Sequence, residues 1–421
     1  MIVFLVLAAS CSKNTKPYPW EGKLDKKPVV SDTVKVGEPL PAWSEGYLDI
    51  HAISTGRGEC TFFILPDGTT MCIDAGEIVS RDPANYKRVA QMPNDQTRAF
   101  ITQANYMLHF LPEGSNKLDY FMVTHYHNDH FGTTTDSGYD WDRDRGYRLT
   151  GMLALYDRLH FAKLIDRSYP AYEVDPTDTD VTDMTSYVAF IDYNTKSQGL
   201  KVEKFERGSS QQLKLLKAPE KYPDFKIMNY ASNGKVWSPS GEIDCWGGAK
   251  VSENGSSCGI LLSYGDFDYL TCGDAGQNGK IENTLAGVIN RRIEAMKAHH
   301  HMSVNTMTNV AMTIYRPQVV VTQSFYIRPE EQPNETVYSA LLAMPMYSTG
   351  KHFFFTSIDE SVVELKPMLY GPDVTACASI SGHVVIRVAK DTKSFMVYVL
   401  DDTDTKYVVK QKEGPYNCDE N

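Results

Sequence analysis

The chain has 421 residues, of which 42% are hydrophobic and 11% aromatic, so it can bury a large core. Its 23% charged residues and the lack of any homopolymer tract exclude a disordered, collagen-like or coiled-coil protein as a whole. The 42 basic and 53 acidic side chains give a net charge of −11. This balance argues against a protein whose main work is to coat nucleic acid or anionic lipid, because such coats need lysine and arginine.

The first residues predict an export signal. Residues 1–9 are apolar throughout, too few to span a bilayer, which takes about 20, but typical of the apolar core of a signal peptide. They run into Ala8-Ala9-Ser10-Cys11, which resembles a bacterial lipobox. We therefore expect lipid on Cys11 and an exported lipoprotein of the cell envelope, at the outer membrane or the periplasmic face. A short buried strand is the alternative interpretation.

Residues 12–46 predict a tether between this signal and the folded part. They hold five prolines and six lysines with little apolar periodicity, a composition typical of an extended spacer. The fold is therefore expected to begin near Tyr47.

Strand and helix patterns then alternate along the chain. Apolar, β-rich runs around turns predict hairpins, and apolar residues at helical spacing predict helices. Residues 133–250 are more polar and are interpreted as an insertion. The strands expected are 60–65, 69–73, 119–124, 258–264, 267–272, 318–324, 362–365, 383–388 and 395–400, and the helices are 95–110, 151–167, a region ending near 298 and one ending at 317.

The most informative stretch directly follows the apolar strand 119–124. His125 and His127 are two residues apart, so in extended backbone both side chains leave one face and can reach one cation. Asp129 and His130 come where the strand must turn, so they can face a second position nearby. Imidazoles and a carboxylate are ligands of zinc and other first-row divalent metals. A polar surface strand is the alternative, but three of the chain's eleven histidines fall in these six residues.

This stretch resembles the HxHxDH signature of the metallo-β-lactamase superfamily. The resemblance implies an α/β fold, an αββα sandwich of two mixed sheets flanked by helices, over residues 47–366, with residues 367–421 as a β-rich extension packed on the core. It also implies that Asp74 orients a ligand without binding metal and that Asp274 bridges two metals. The central motif would supply metal ligands at His125, His127, Asp129 and His130.

Within that superfamily, the chain is most similar to the hydrolase domain of the ComEC DNA-uptake proteins. The similarity rests on residues 62–76, 254–257 (NGSS) and 264–267 (YGDF). It implies that Asn254 and Ser257 hydrogen-bond the substrate. A turn that only precedes a hairpin is the alternative for these two residues.

Residues 297–303 (KAHHHMS) resemble a further motif of that branch, K-x-x-H-H-G-S. His300 and His301 match the final metal-binding pair, and His299 is an extra residue. Met302 replaces the usual glycine, so the resemblance leaves open which histidine of the pair binds metal.

The resemblance is incomplete at the first metal site. Many superfamily members supply another histidine between the central motif and the bridging aspartate. Here His160 lies in that interval, inside a predicted helix, and Asp166 is a comparable outsider. Without such a ligand, the first site would rest on His125, His127 and Asp274 and would bind its metal weakly or exchangeably.

The resemblance and the ligand types together predict a metal-dependent hydrolase with two divalent ions, zinc first and manganese or iron as alternatives. A metal-activated hydroxide would attack phosphorus or a carbonyl carbon, with Asp129 orienting it. We expect hydrolysis of a phosphoester or phosphodiester. The alternatives are a lactone, thioester or β-lactam substrate on the same fold, and a non-catalytic metal-containing lipoprotein that only binds its ligand.

The acidic excess is concentrated beside the central motif. Residues 136–183 carry eleven acidic and six basic side chains, a net −5. Such a segment would repel a long polyanion unless it folds away from the site. We therefore expect a small-molecule or envelope-polymer ester as substrate, with nucleic acid disfavoured, membrane contact through the lipid anchor only, and no protein partner.

Seven cysteines follow Cys11. None has CxxC spacing, and four lie in apolar, strand-like runs, so we interpret them as buried structural thiols. A Cys245–Cys258 disulfide is the alternative in an exported protein.

Overall fold

The computed structural model describes residues 33–78, 87–88, 90–94, 96–134, 141–174, 178, 181–276, 279–324, 326–327, 333–348, 351–358 and 377–418. The expected signal with Cys11, most of the predicted tether and the strand predicted at 362–365 lie outside these residues. Among the described helices, none has the length and apolar character needed to cross a membrane.

Strands and helices interleave along the described chain. The strands are β1 (Leu48–Ala52), β2 (Thr61–Ile64), β3 (Thr70–Ile73), β4 (Lys87–Arg88), β5 (Leu118–Val123), β6 (Trp141–Asp142), β7 (Tyr147–Arg148), β8 (Phe161–Asp166), β9 (Lys201–Lys204), β10 (Phe225–Ser232), β11 (Lys235–Ser238), β12 (Gly241–Asp244), β13 (Gly259–Tyr264), β14 (Phe267–Thr271), β15 (Ala295–Lys297), β16 (Val319–Thr322), β17 (Tyr326–Ile327), β18 (Phe353–Phe355), β19 (His383–Val388), β20 (Ser394–Leu400) and β21 (Val409–Asn417). The helices are α1 (Ala99–Phe110), α2 (Asn128–Phe131), α3 (Gly151–Arg158), α4 (Met184–Ser197), α5 (Lys280–Ile289), α6 (Asn309–Tyr315) and α7 (Glu335–Leu342), with 3₁₀ turns at Pro219–Lys221, Asn254–Ser256, His299–Met302 and Pro345–Tyr347.

The described strands form two large mixed sheets. The first runs in the spatial order β21-β20-β19-β1-β2-β3-β5-β8-β9, and its β3, β5, β8 and β9 are parallel. The second runs β12-β11-β10-β13-β14-β15-β16-β18, and its β14, β15, β16 and β18 are parallel. Parallel strands need cover on both faces, which their apolar composition predicts.

Successive side chains of a strand point to opposite faces of its sheet and therefore pack in different layers. In β2, Phe62 and Ile64 pack with α1, α3 and α4, whereas Phe63 faces the other way and packs between the two sheets with Ile260 of β13. Leu261, the next residue of β13, packs with α5, α6 and α7. Helices thus cover the outer face of each sheet, and the αββα sandwich is confirmed.

Several boundaries differ from the sequence predictions. The helix predicted at 151–167 ends at Arg158, and residues 161–166 form strand β8, because their apolar spacing fits either structure and burial between two layers favours the strand. The helical region expected to reach 298 ends at Ile289, and β15 follows it. Residues 133–250, predicted as an insertion, contribute strands to both sheets: β8 and β9 lie in the first, and β10, β11 and β12 lie in the second.

The fold also begins before Tyr47. Val34 and Leu40 are buried, and the backbone N–H of Gly37 donates to the carbonyl of Val409 (2.9 Å). Residues 33–46 therefore pack on the C-terminal strands, although their composition predicts a tether. Those strands join the first sheet directly, since β19 pairs with β1.

The described cysteines are free thiols, and the alternative Cys245–Cys258 disulfide is not formed. Cys60, Cys72, Cys258 and Cys272 are buried, as their apolar runs predict. The Sγ atoms of Cys60 and Cys72 lie 3.6 Å apart, within the range of a weak S–H hydrogen bond.

A buried carboxyl group at the start of β15 predicts a pH-dependent stability. Glu294 Oε2 accepts the backbone N–H of Asp268 (2.9 Å), and burial raises the pKa of Glu294 from 4.5 to about 7. The folded chain therefore keeps this proton while the unfolded chain loses it, so stability falls as the pH rises from about 4.5 to about 7. Glu294→Gln is expected to remove this fall and to exceed the wild type by up to about 3 kcal/mol at pH 8. Urea unfolding of both chains at pH 5 and pH 8 checks it, and an equal pH response in both would contradict it.

Candidate metal centre

The predicted ligands meet where parallel strands of both sheets end. β3 and β5 are neighbours in the first sheet, and β14 and β15 are neighbours in the second. The carboxyl ends of parallel strands open to the same side of a sheet, so the loops that follow them converge. The residues that these loops place are Asp74 after β3, His125 after β5, Asp274 after β14 and His301 after β15.

Close backbone contacts fix the loop of the central motif. The N–H of Glu59 donates to the carbonyl of Asp129 (2.7 Å), and the N–H of Ala75 donates to the carbonyl of His130 (2.9 Å). A methyl group at Gly76 would lie 1.7 Å from the Asp129 carbonyl oxygen. Only a residue without a side chain fits here, so the glycine lets the motif loop sit directly on the strand end.

Three buried side chains converge on one point. His130 Nε2 lies 3.2 Å from His301 Nε2 and 3.1 Å from Asp274 Oδ2, and His301 Nε2 lies 3.3 Å from the same oxygen. Ligand atoms about 2.0–2.3 Å from one zinc ion are roughly 3–3.5 Å apart, so this triangle fits a divalent cation. Asp129 Oδ2 is 3.4 Å from His301 Nε2 and 3.9 Å from His130 Nε2, beside the same point.

Hydrogen bonds at the far side of the rings select the ligand nitrogens. His130 Nδ1 donates to Asp74 Oδ2 (2.8 Å), and His301 Nδ1 donates to the carbonyl of Gln323 (2.8 Å). A carboxylate and a carbonyl only accept, so Nδ1 holds a proton in both rings and Nε2 is the atom that can bind a cation. Asp74 thus orients a ring without facing the centre. It is itself held by the N–H and the hydroxyl of Thr124, at 2.8 and 2.6 Å.

His125 offers a ligand atom to a second candidate position near Asp274. Its Nε2 is buried without a hydrogen-bond partner among the described residues and lies 3.9 Å from Asp274 Oδ2. Its Nδ1 lies 3.1 Å from Thr124 Oγ1, which donates its own hydrogen to Asp74 and so accepts from the ring. An orphaned buried nitrogen beside a carboxylate suits a bound cation. The ligand atoms of His125, Asp129 and His130 lie within 4.8 Å of one another.

The described residues could therefore hold two metals. Burial opposes the charged ring of His301, but Asp274 and Asp129 raise its pKa to about 9. Burial also opposes ionised Asp274, but His130, His301 and Lys297 hold its pKa well below the usual range. A divalent cation takes the place of the proton on His301, so metal binding releases that proton.

Two charged residues at this centre were not predicted as site residues. Lys297 is buried, with Nζ 2.7 Å from Glu59 Oε2 and 3.3 Å from Asp274 Oδ1, and it donates to the carbonyl of Gly273 (2.8 Å). Glu59 Oε2 lies 3.6 Å from His301 Nδ1, and the residue belongs to one of the two candidate clusters. A charged residue directly before the predicted apolar strand 60–65 was the available signal for Glu59. Lys297 stood in the recognised motif without an assigned role.

The final histidine run divides into three roles. His301 belongs to the triangle, whereas His299 Nδ1 pairs with the buried Glu282 at 2.7 Å. His300 lies at the rim with its side chain 22% exposed, 3.3 Å from Asn254 Nδ2 and 3.9 Å from Asp274 Oδ2. Left-handed backbone at His300 and His301 separates the neighbouring rings. Met302 keeps the positive φ of 62° that the glycine of the related motif would adopt freely.

Alanine variants of the neighbouring residues His300 and His301 form a matched pair. We expect His301→Ala to lose metal, because its Nε2 is one corner of the triangle. We expect His300→Ala to retain metal within a few-fold of the wild type, because its ring hydrogen-bonds the rim. Zinc titration of each purified chain checks this, and equal metal loss in both variants would contradict the assignment.

Other predicted residues are placed differently. Asn254 lies at the rim beside His300, as a substrate contact requires, but Ser257 is fully buried and its Oγ accepts the backbone N–H of Asp274 (3.0 Å). Ser257 therefore holds Asp274 in place, because no exposed face is left for a substrate. His160 is exposed, stacks on Tyr156 and precedes β8, at the end of the strand opposite the centre.

Asp166 is the last residue of β8, and its carboxylate already has several hydrogen-bond partners. Its carboxylate accepts the hydroxyls of Tyr126 (2.8 Å) and Tyr187 (2.6 Å) and the backbone N–H of Ser168 (2.7 Å). It thus joins the motif loop to α4 as a structural anchor. Neither Asp166 nor His160 supplies the ligand that the first site lacks.

His127 stands beside His125, with ring centroids 4.8 Å apart. Its Nε2 lies 3.0 Å from Oδ2 of Asp178, a residue of the acidic segment. Burial opposes the charged ring of His127, but Asp178 and Asp129 raise its pKa. The acidic segment therefore reaches the central motif.

No family model and no curated protein matches the chain. Among solved structures, the diiron β-hydroxylase CmlA from Streptomyces venezuelae is similar at 12% identity and a TM-score of 0.37, covering 83% of this chain and 55% of CmlA. The chain thus spans about half the length of CmlA. Zn(2+)-bound PqqB from Methylobacterium extorquens is similar at 13% identity and a TM-score of 0.30, over 60% of this chain and 71% of PqqB. The metallo hydrolase Igni18 from Ignicoccus hospitalis is similar at 12% identity and a TM-score of 0.31, over 65% of this chain and 81% of Igni18. Because these sequence identities and TM-scores are low, the fold assignment rests on the sheets and helix layers of this chain.

Proposed function

We propose that the protein is a metal-dependent hydrolase that cleaves phosphoester bonds, phosphodiesters first, at a two-metal centre. One observation carries the proposal. Asp274 Oδ2 lies 3.1 Å from His130 Nε2, 3.3 Å from His301 Nε2 and 3.9 Å from His125 Nε2, so it faces both candidate metal positions. A shared carboxylate holds two ions about 3.5–4 Å apart, the spacing that clamps the attacking and leaving oxygens of a displacement.

When bound, two divalent ions would supply a water whose pKa is lowered towards about 7 and positive charge for the leaving oxygen. The chain's own residues do the rest. His130 and His301 lower the pKa of Asp129 despite its burial, so its carboxylate is ionised and can orient the attacking water by accepting a hydrogen bond from it. With its side chain 13% exposed, Asp129 is still reachable from the rim.

His300 and Asn254 form the polar rim on the substrate side. The Asn254 amide donates to His300 Nε2 at 3.3 Å, which leaves Nδ1–H as a donor, and burial lowers the pKa of His300 to about 4. A neutral ring with one free N–H can hydrogen-bond a phosphoryl oxygen or the departing oxygen. Lys297 contributes a fixed positive charge behind Asp274 and neutralises part of the carboxylate charge.

The acidic segment supports a short substrate. The backbone of Val181 pairs with that of His127, and the N–H of Thr182 donates to the carbonyl of Tyr126 (2.7 Å). The described end of the segment therefore docks on the central motif, with Asp178 beside it, and does not fold away. A long polyanion would be repelled, which supports a small-molecule or envelope-polymer ester. Export and lipid anchoring through Cys11 remain part of the proposal on the sequence evidence alone.

Turnover of a substrate panel tests the proposal. The metal-loaded full chain is assayed with bis-p-nitrophenyl phosphate, p-nitrophenyl phosphate, a lactone, a thioester and a β-lactam, with a chelator-treated sample as control. Chelator-sensitive cleavage of the phosphoesters is expected. Cleavage of the carbonyl substrates alone would replace the proposal by the carboxylic alternative. Two bound metals without any cleavage would favour a binding lipoprotein, and chelator-resistant cleavage would contradict a metal mechanism.

A further inference from the structure

His127 contacts a carboxylate that comes from outside the central motif. Asp178 Oδ2 lies 3.0 Å from His127 Nε2, and the two side chains are 28% and 12% exposed, so protein shields much of the contact from water. The pair is separated by 51 positions in the chain. Asp178 is therefore brought to the motif by the fold and not by its neighbours in sequence.

Backbone contacts hold the segment that follows Asp178 against the motif. Val181 pairs with His127 as an isolated antiparallel bridge, and the N–H of Thr182 donates to the carbonyl of Tyr126 (2.7 Å). The Thr182 hydroxyl donates to the carbonyl of Gly132 (2.8 Å), on the far side of the motif. These contacts fix the segment on both sides of the histidine that Asp178 touches.

The chemistry of the pair selects a ring nitrogen. A carboxylate oxygen only accepts, so His127 Nε2 carries the hydrogen and Nδ1 is left with the lone pair. The same reasoning puts the hydrogen on Nδ1 of His125, His130 and His301 and leaves the lone pair on Nε2. A ligating histidine whose other N–H is held by a carboxylate is both oriented and made a stronger donor.

We propose that Asp178 is a positioning residue that holds His127 with Nδ1 available to the first metal position, beside Nε2 of His125. This inference rests on the proposed two-metal centre. It accounts for a first site in which neither His160 nor Asp166 supplies a further ligand, because a preoriented ring loses less freedom when the metal binds.

The competing role for Asp178 is that of a direct metal ligand, because the 3.0 Å between its Oδ2 and His127 Nε2 would also suit two ligands of one ion. The geometry favours positioning. The clusters of ligand atoms among the described residues join His125 with Asp129 and His130, and Glu59 with His130, Asp274 and His301; they include neither Asp178 nor His127. The ring of His127, however, lies directly beside that of His125, with centroids 4.8 Å apart. Asp178 meets the centre through the ring of His127.

Zinc titration of the full chain tests the role of Asp178. The variants are Asp178→Ala and Asp178→Asn, and the matched control is Glu173→Ala, an exposed carboxylate of the same acidic segment. We expect Asp178→Ala to weaken the first zinc by about 10- to 100-fold and to leave the second unchanged. Asp178→Asn keeps a hydrogen-bond acceptor and should recover part of the affinity, and Glu173→Ala should bind both ions like the wild type. Nitrogen-15 NMR of the zinc-loaded wild type should show the His127 hydrogen on Nε2.

The outcomes separate this role from the proposed activity, because titration does not depend on turnover. Wild-type affinity in Asp178→Ala, or a hydrogen on Nδ1 of His127, would overturn the positioning role. Asn as damaging as Ala would show a direct ligand and would also overturn it. A wild type that binds two zinc ions and cleaves no ester would overturn the hydrolase alone, while one that binds fewer than two ions would overturn both.

Discussion

Asp274→Ala is expected to abolish binding of both metals and to lower turnover by more than about 100-fold. Loss of a residue that only hydrogen-bonds a metal ligand lowers affinity or activity by up to about 100-fold, and loss of the ligand itself should cost more. The reason is its position, since Oδ2 faces His130, His301 and His125 while Oδ1 contacts Lys297. Without the carboxylate, the centre loses its shared ligand and leaves a buried ammonium with one partner fewer. Asp274→Asn should fail similarly, because a neutral amide cannot balance two divalent ions.

The matched control for Asp274 is Asp266→Asn. Asp266 lies in the turn of the same hairpin, at the end away from the centre, and pairs with the exposed Lys393. It should keep metal content and turnover near those of the wild type. Metal analysis, turnover of bis-p-nitrophenyl phosphate and thermal unfolding are measured on all chains. A folded Asp274→Ala that retains both metals or substantial turnover would contradict the shared-carboxylate mechanism.

Glu77→Ala is expected to give the largest loss of stability, about 3 kcal/mol or more, because it breaks a largely buried ion pair and uncaps two helices. The Glu77 carboxylate accepts Nε and Nη2 of Arg98 at 2.7 and 2.8 Å. It also accepts the backbone N–H groups of Ala99, at the start of α1 (3.1 Å), and Gly151, at the start of α3 (2.9 Å). One anion thus satisfies amides at the positive ends of two helices.

The control for Glu77 is Glu38→Ala, which removes a carboxylate from an exposed pair with Lys35 at 3.2 Å. Such pairs contribute at most about 1 kcal/mol. Urea unfolding at pH 7 compares the two variants with the wild type. Arg98→Ala should cost less than Glu77→Ala, because the carboxylate keeps both helix amides. A loss below about 1 kcal/mol for Glu77→Ala would contradict its bridging role.

The sequence predicts that the polar residues Asp74, His125 and Asp274 meet at strand ends because each lies shortly after its own strand. Asp74, His125 and Asp274 follow apolar runs that are buried wherever they lie in the sheet, and parallel strand ends converge in any sandwich of this type. The choice between His300 and His301 could not be made from spacing. It depends on three consecutive residues with positive φ, His300, His301 and Met302, and methionine in place of the usual glycine hides this backbone conformation from sequence analysis.

The site roles of residues whose partners are remote in sequence were not predicted. Glu59 meets Lys297, and Asp178 meets His127, only after the sheets and the acidic segment have folded. Strand β8 was mistaken for helix for a related reason. Residues 161–166 have apolar side chains at spacings compatible with both structures, and the burial that decides between them comes from other layers.

A zinc-loaded crystal with an anomalous difference map at the zinc edge tests the two-metal centre most directly. Two peaks are expected, one bounded by His130, His301 and Asp274, and the other beside His125 and the same carboxylate. A single peak, or peaks that leave Asp274 without a metal on either side, would contradict a shared-carboxylate centre.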